Sequence, residues 1–395
     1  MTALRRLAPL LLFVAACAAA EEERDDAAER ARAESGPELS ATTLALHEVA
    51  FLYPLPAKDD AGLIAASRDL GDGRALLPLV VTKRLGSIVA GEPNELTHAS
   101  LRVVGVRLEP CFRAARDAAC TRQIRFVLQP VSVDPSGVLP TTTLDAAVHV
   151  IYDLPREAFA ELVKAIVAAR PADVASAPLD VHPVLAKEGL AGPYARAIED
   201  AFVGAAKRGD LSRVTFLGLR GRGNEWQLGG VDVARDGSTK PLTIPASDAR
   251  IQSFVLQRGT ESFSKSVVPA VDADLALLFD SGKATAASRD DVARALHVAN
   301  QIENPTLRSS EDTGCAACHT VASSRLWAES TLGVRDDRDR FVSSSFDLTA
   351  RSRPLGDPSA LRALGYFGSD PVVSPRAIHD TALAARWIAG DRNTP

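Results

Sequence analysis

Between about residues 41 and 270, eight runs of alternating or β-branched apolar residues restrict the chain more than any other feature. They are Thr43–Tyr53, Leu76–Thr82, Ser100–Glu109, Arg122–Val133, Ala146–Tyr152, Arg213–Leu219, Trp226–Ala234 and Arg250–Gln257. A period of two over four to ten residues is the mark of a strand with two different faces. Two helical stretches interrupt the series. Pro155–Ala169 carries Phe159, Leu162, Val163 and Ile166 on one side, and Gly192–Arg208 follows. Strands grouped on either side of two helices, without regular βα alternation, predict an α+β domain with a mostly antiparallel sheet over residues 41–285. A total of 395 residues leaves room for a second, smaller domain, and residues 286–395 read as helical.

The large region offers little catalytic chemistry. Gly221-Arg222-Gly223-Asn224 and Gly229-Gly230 flank a strand-like run and read as turns, not as a phosphate-binding loop. Ser262-Phe263-Ser264-Lys265 matches S-x-x-K but lacks the partner motifs of an acyl-enzyme site. Forty-five basic against 50 acidic side chains give a net charge of −5. No basic run occurs beyond the first few residues, which argues against nucleic acid as a partner.

The first seventeen residues, MTALRRLAPLLLFVAAC, pair Arg5 and Arg6 with a short apolar core. That core is too short to span a bilayer, so residues 1–16 read as a signal peptide. Val14-Ala15-Ala16-Cys17 resembles the lipobox of bacterial lipoproteins. The resemblance implies cleavage before Cys17 and lipidation of Cys17, giving a membrane anchor. Ala18, where that family's inner-membrane retention residue is Asp, favours the outer membrane. Residues 17–40 then form an acidic tether, with eight acids and three bases among 18–38 and no Ile, Leu, Val or aromatic residue there to drive folding. The expected location is the cell envelope, anchored by lipid and facing the periplasm.

Export places the remaining cysteines where thiols oxidise unless they are committed elsewhere. Cys111 and Cys120 lie between two predicted strands, and a disulfide there would staple the connection. A redox-active pair would want tight C-x-x-C spacing. Cys315-Ala316-Ala317-Cys318-His319 has that spacing and adds a histidine, which makes C-x-x-C-H, the attachment signature of c-type haem. On a helical turn, positions three and four apart share a face. Cys315 and Cys318 can therefore carry thioethers to one haem c while His319 offers its imidazole to the iron. A thioredoxin-like dithiol would need a preceding strand, and a zinc site would need more Cys or His ligands than remain.

From here residues 286–395 resemble a c-type cytochrome, with CAACH as the only specific motif. The resemblance implies a small all-α haem domain in which Cys315 and Cys318 bind the haem and His319 is the proximal ligand. The family's usual distal methionine has no counterpart, because the single Met is Met1. A second His, another donor such as Lys or Asn, or an open position remain. His379 is the best-placed candidate, on a last helix that Ser374 caps, Pro375 opens and Gly390 ends. His297 sits beside the apolar row Val292, Leu296 and Ala299 and reads as packing or surface. His47, His98, His149 and His182 fall in the larger domain and read as structural or surface residues. The leading expectation is an envelope-anchored monohaem cytochrome that passes electrons to a redox partner protein, rather than an enzyme. The alternatives are a peroxidase-like haem enzyme or gas sensor with an open sixth position, and a non-haem binding lipoprotein.

Overall fold

One antiparallel sheet organises the protein. Its strands are β1 (Ala50–Leu52), β2 (Leu101–Phe112), β3 (Thr121–Ser132), β4 (Thr142–Thr143), β5 (Ala147–Leu154), β6 (Asp210–Arg220), β7 (Glu225–Val233), β8 (Thr239–Pro241), β9 (Ile251–Gln257) and β10 (Ser262–Lys265). The spatial order is β1-β2-β3-β5-β6-β7-β9-β10, with β4 on β3 and β8 on β7. The computed structural model describes residues 43–57, 62–112, 119–134, 136, 138–171, 178–220, 225–245, 249–257, 262–265, 275–310, 312–349 and 363–390. Segment 1–16, Cys17, the tether 17–40 and the turn Gly221–Asn224 lie outside the described residues, as do the side chains of 262–265. The described residues belong to one packing unit, Thr43–Pro395, so the boundary expected at 285/286 separates two stretches of a single packed body. No helix among them is long and apolar enough to cross a membrane.

The pleat sends alternate residues to opposite faces. One face is covered by α1 (Arg156–Ala169) and α2 (Pro193–Arg208), which connect β5 to β6. Phe126 meets Tyr152 and Phe202 edge-on, with centroids 6.1 and 6.5 Å apart. α1 buries Phe159, Leu162, Val163 and Ile166 on the predicted stripe. Each such side chain contributes about 1.5–3 kcal/mol relative to exposure.

The second face receives the C-terminal stretch: α3 (Arg289–Glu303), α4 (Cys315–Trp327), the hairpin β11 (Leu364–Phe367) and β12 (Asp370–Val373), and α5 (Pro375–Ile388). Two apolar cores fasten it. Leu217, Trp226 and Leu228 pack with Leu296, Ala299, Val321 and Trp327. Val127, with Leu52 and Val104, packs with Leu364, Tyr366 and Ile378. Between them Gln129, fully buried, receives the Tyr366 N–H on Oε1 (2.6 Å) and donates Nε2 to the Tyr366 and Ala146 carbonyls (2.9 and 3.2 Å). α5 starts and stops as predicted: the Ala377 N–H bonds Ser374 Oγ (3.2 Å), Pro375 opens the helix, and Gly390 follows at φ +87°.

Two predicted strands are not strands throughout. In Leu76–Thr82, Pro78 lacks the N–H a ladder needs and instead precedes a helical turn, Leu79–Thr82. In Thr43–Tyr53 only Ala50–Leu52 pair, because Glu48 Oε2 takes the Ala45 N–H (2.8 Å) and closes a turn over Leu46–Val49. The hairpin β11–β12 has no counterpart in the sequence reading.

Candidate functional site

The C-x-x-C-H motif opens α4. Cys315 is its first residue and Gly314 its N-cap. The Ala316 N–H, one of the donors a helix start leaves orphaned, is taken by Gln252 Oε1 from β9 (2.9 Å). Gly314 permits this approach, since a Cβ there would lie 3.0 Å from Gln252 Nε2. Cys315, Cys318 and His319 all line one cavity of about 310 Å³, at the lower end of the range for ligand pockets. Both cysteines are half-buried thiols, and burial pushes the Cys318 thiol up.

The opposite wall is the second face of the sheet. Ladder register aligns Arg107, Arg125, Ile151, Arg213 and Asp232 in one row across β2, β3, β5, β6 and β7. The adjacent row holds Val127, His149 and Thr215. All of these line the cavity, and α5 adds Arg376, Ala377 and Asp380 at its rim. Most of the charges are paired. Asp380 lies 3.5 Å from Arg107 and 3.0 Å from Arg376, and Arg213 Nε bonds Asp232 Oδ1 at 2.7 Å. Burial alone would raise the Asp380 carboxyl, but Arg376 and Arg107 bring it below the usual carboxylate range. Asp153 accepts from Gln123 (2.8 Å) and Ser212 (2.9 Å).

Two side chains on this wall differ. Arg125 has no hydrogen bond or ion pair with the described residues, and burial and the Arg107 cation lower its guanidinium below its ordinary value. His149 likewise has no hydrogen bond with the described residues. Burial, then Arg125, His319 and Arg107, hold its imidazole well below its ordinary value, hence neutral. His319 acts on it electrostatically from the facing helix.

His379, the expected distal ligand, does not line the cavity. Its Nδ1–H donates to the Glu303 carbonyl at the end of α3 (2.9 Å), and its ring packs on Phe341 at 5.1 Å. One step of about 100° along α5 carries it away from the cavity face that Asp380 occupies. His297 is half-buried beside Gln301 and Asp339. His47 and His182 are buried under the first face, with Tyr194 Oη 3.0 Å from His182 Nε2, and His98 Nε2 bonds the Leu77 carbonyl (2.8 Å). Cys111 and Cys120 lie at disulfide distance, Cα atoms 4.6 Å apart, closing the β2–β3 connection as expected. No group of three or more His, Cys, Asp or Glu side chains able to hold a metal ion occurs among the described residues.

The sequence reading missed Arg107, Arg125, His149, Arg213 and Asp380. A signal was present: Arg107, Arg125 and Arg213 each interrupt an apolar run in an interior strand, which does not suit a plain hydrophobic core. No protein family, curated protein or solved structure matches the chain.

Proposed function

We propose that the protein is an envelope-anchored, monohaem c-type cytochrome that transfers electrons to a partner protein. The observation that carries this reading is that Cys315, Cys318 and His319 face one cavity whose far wall is basic. The haem that is converted into haem c carries two vinyl groups and two carboxylates, and this donor set suits both ends. Each thiol can add across one vinyl double bond, the sulfur to one carbon and the hydrogen to the other, so nothing leaves and no electron is lost. His319 offers the proximal imidazole, and Arg125, with Arg213 and Arg107 beside it, offers positive charge to the carboxylates. When bound, haem supplies a one-electron Fe(II)/Fe(III) couple, tuned by axial ligands and burial. The protein's own groups bind, orient and exclude water, so no catalytic side chain is required. In this reading residues 286–395 are the haem module and play the part of a small cytochrome domain, although they rest on the sheet. Cys17 is the lipidated residue, 17–40 the tether, and the outer membrane the favoured location.

The test is covalent haem staining of the denatured protein made in a host that has the haem-attachment machinery. A stained band that Cys315→Ala and Cys318→Ala each weaken or abolish is expected, and an unstained wild-type band would refute the reading.

A further inference from the structure

We infer that His149, on β5, is the second axial ligand of the haem iron, facing His319 across the cavity. This inference rests on the proposed function and names a residue that its motif does not contain.

The cavity wall limits which residue can serve. Among the described residues it contains no Met, Lys, Tyr or Asn, and its imidazoles there are His149 and His319. The carboxylates there are engaged, Asp380 by two arginines, Asp232 by Arg213, and Asp153 by Gln123 and Ser212. Arginine stays protonated and brings no lone pair to a metal. Among the described residues, His149 is thus the one uncommitted imidazole on the wall opposite the motif. It makes no hydrogen bond to the described residues that would occupy its ring, and each ring nitrogen is available to one ligand geometry or the other.

Placement agrees with this role. His149 lies in an interior strand, flanked in register by Val127 on β3 and Thr215 on β6. Its backbone is fixed on both sides by ladder bonds, and rigid elements hold ligand geometry better than loops. The proximal histidine comes from the facing helix, so the two ligands approach from opposite walls. The adjacent row of the same sheet face carries Arg125, where a positive charge would meet a carboxylate of the same group. His379 is already held by the Glu303 carbonyl outside this cavity, which removes the competing histidine.

The experiment compares ferric absorption and electron paramagnetic resonance spectra of the haem-loaded wild type with those of His149→Ala, His149→Met and His379→Ala. Expected are a low-spin, bis-imidazole wild type and a high-spin His149→Ala that added imidazole returns to low spin. Carbon monoxide should bind ferrous His149→Ala readily and the wild type slowly or not at all. His149→Met should remain low-spin with the charge-transfer band of a thioether ligand, and His379→Ala should keep the wild-type spectrum. If His149→Ala does not accumulate, His149→Met gives the answer, because an unchanged bis-imidazole spectrum overturns the assignment. A covalently loaded but high-spin wild type, or a low-spin His149→Ala without added imidazole, also overturns it while leaving the proposed function standing. Absence of covalent haem in the wild type instead removes the proposed function.

Discussion

Gln129→Leu should destabilise the protein through hydrogen bonds alone, because the substitution nearly conserves volume. Gln129 is inaccessible to solvent, and its amide joins β3 to the hairpin that leads into α5. A leucine fills the same space but strands the Tyr366 N–H, which gives up an acceptor at 2.6 Å. The Tyr366 carbonyl keeps Thr143 Oγ1 at 3.3 Å, a longer contact than the 2.9 Å bond it loses, and the Ala146 carbonyl loses a donor at 3.2 Å. One fully orphaned group and two weakened ones amount to about 2–4 kcal/mol, since an unsatisfied buried polar group costs about 1–3 kcal/mol. Urea unfolding followed by tryptophan fluorescence should show the midpoint falling by about 1 M with little change in slope. Gln129→Glu provides an internal check. Its ionised form places a carboxylate oxygen against the two carbonyls, so its native pKa must be raised. Stability of that variant should therefore fall as pH rises above the ordinary carboxylate value of about 4.3, unlike that of the leucine variant. A Gln129→Leu protein within about 0.5 kcal/mol of wild type would show that the hairpin does not depend on this amide, and the reasoning would fail.

Two further predictions concern buried charge. Arg325 on α4 makes a bidentate pair with Glu303 on α3, and the two side chains are only 3% and 4% exposed. Arg325→Met should cost about 3–5 kcal/mol, because Glu303 is left buried without a counter-charge, and adding Glu303→Leu should recover much of it in chemical denaturation. Burial, reinforced by His47, depresses His182 to about 3. The unfolded chain then binds a proton near pH 6.5 that the native state refuses, so this histidine's contribution is intact above pH 6.5 and is lost as pH falls toward 3. The loss reaches about 5 kcal/mol on a scale of about 1.36 kcal/mol per pKa unit. His182→Phe, which can keep the stack on Phe51, should flatten the acid limb of a pH–stability profile between those limits.

Much of the frame was legible because it rests on local chemistry. The period of two in β3 separated Ile124, Phe126 and Leu128 from Gln123, Arg125 and Val127, and Ser374, Pro375 and Gly390 marked the ends of α5. The motif residues were legible too, since their spacing of three and four fixes a common helical face. The identity of the opposite wall was not. Periodicity says that His149 and Arg125 share a face, but not which later segment will cover it. His149 therefore read as a structural residue, although Val127 and Leu217 seat the C-terminal stretch directly upon its neighbours. His379 misled for the opposite reason. Its distance along the chain from His319 suited a distal ligand, but its position around the helix turned it toward the Glu303 carbonyl. Pro78 and the Glu48–Ala45 turn show the same limit at smaller scale, where one side chain overrides the propensity of its neighbours.

The Arg107–Asp380 pair joins one of the earliest strands of the described chain to its last helix. The sheet side of the cavity is complete by residue 257, the motif follows it, and α5 is the last element made. A chain delivered from its N-terminus would thus hold an open half-mould while Cys315 and Cys318 are still reachable. Asp380, held by Arg376 on its own helix, meets Arg107 of the sheet across the cavity. The pair therefore ties α5 to the sheet across the cavity. A group to be joined to those cysteines would have its widest access before α5 docks on the sheet.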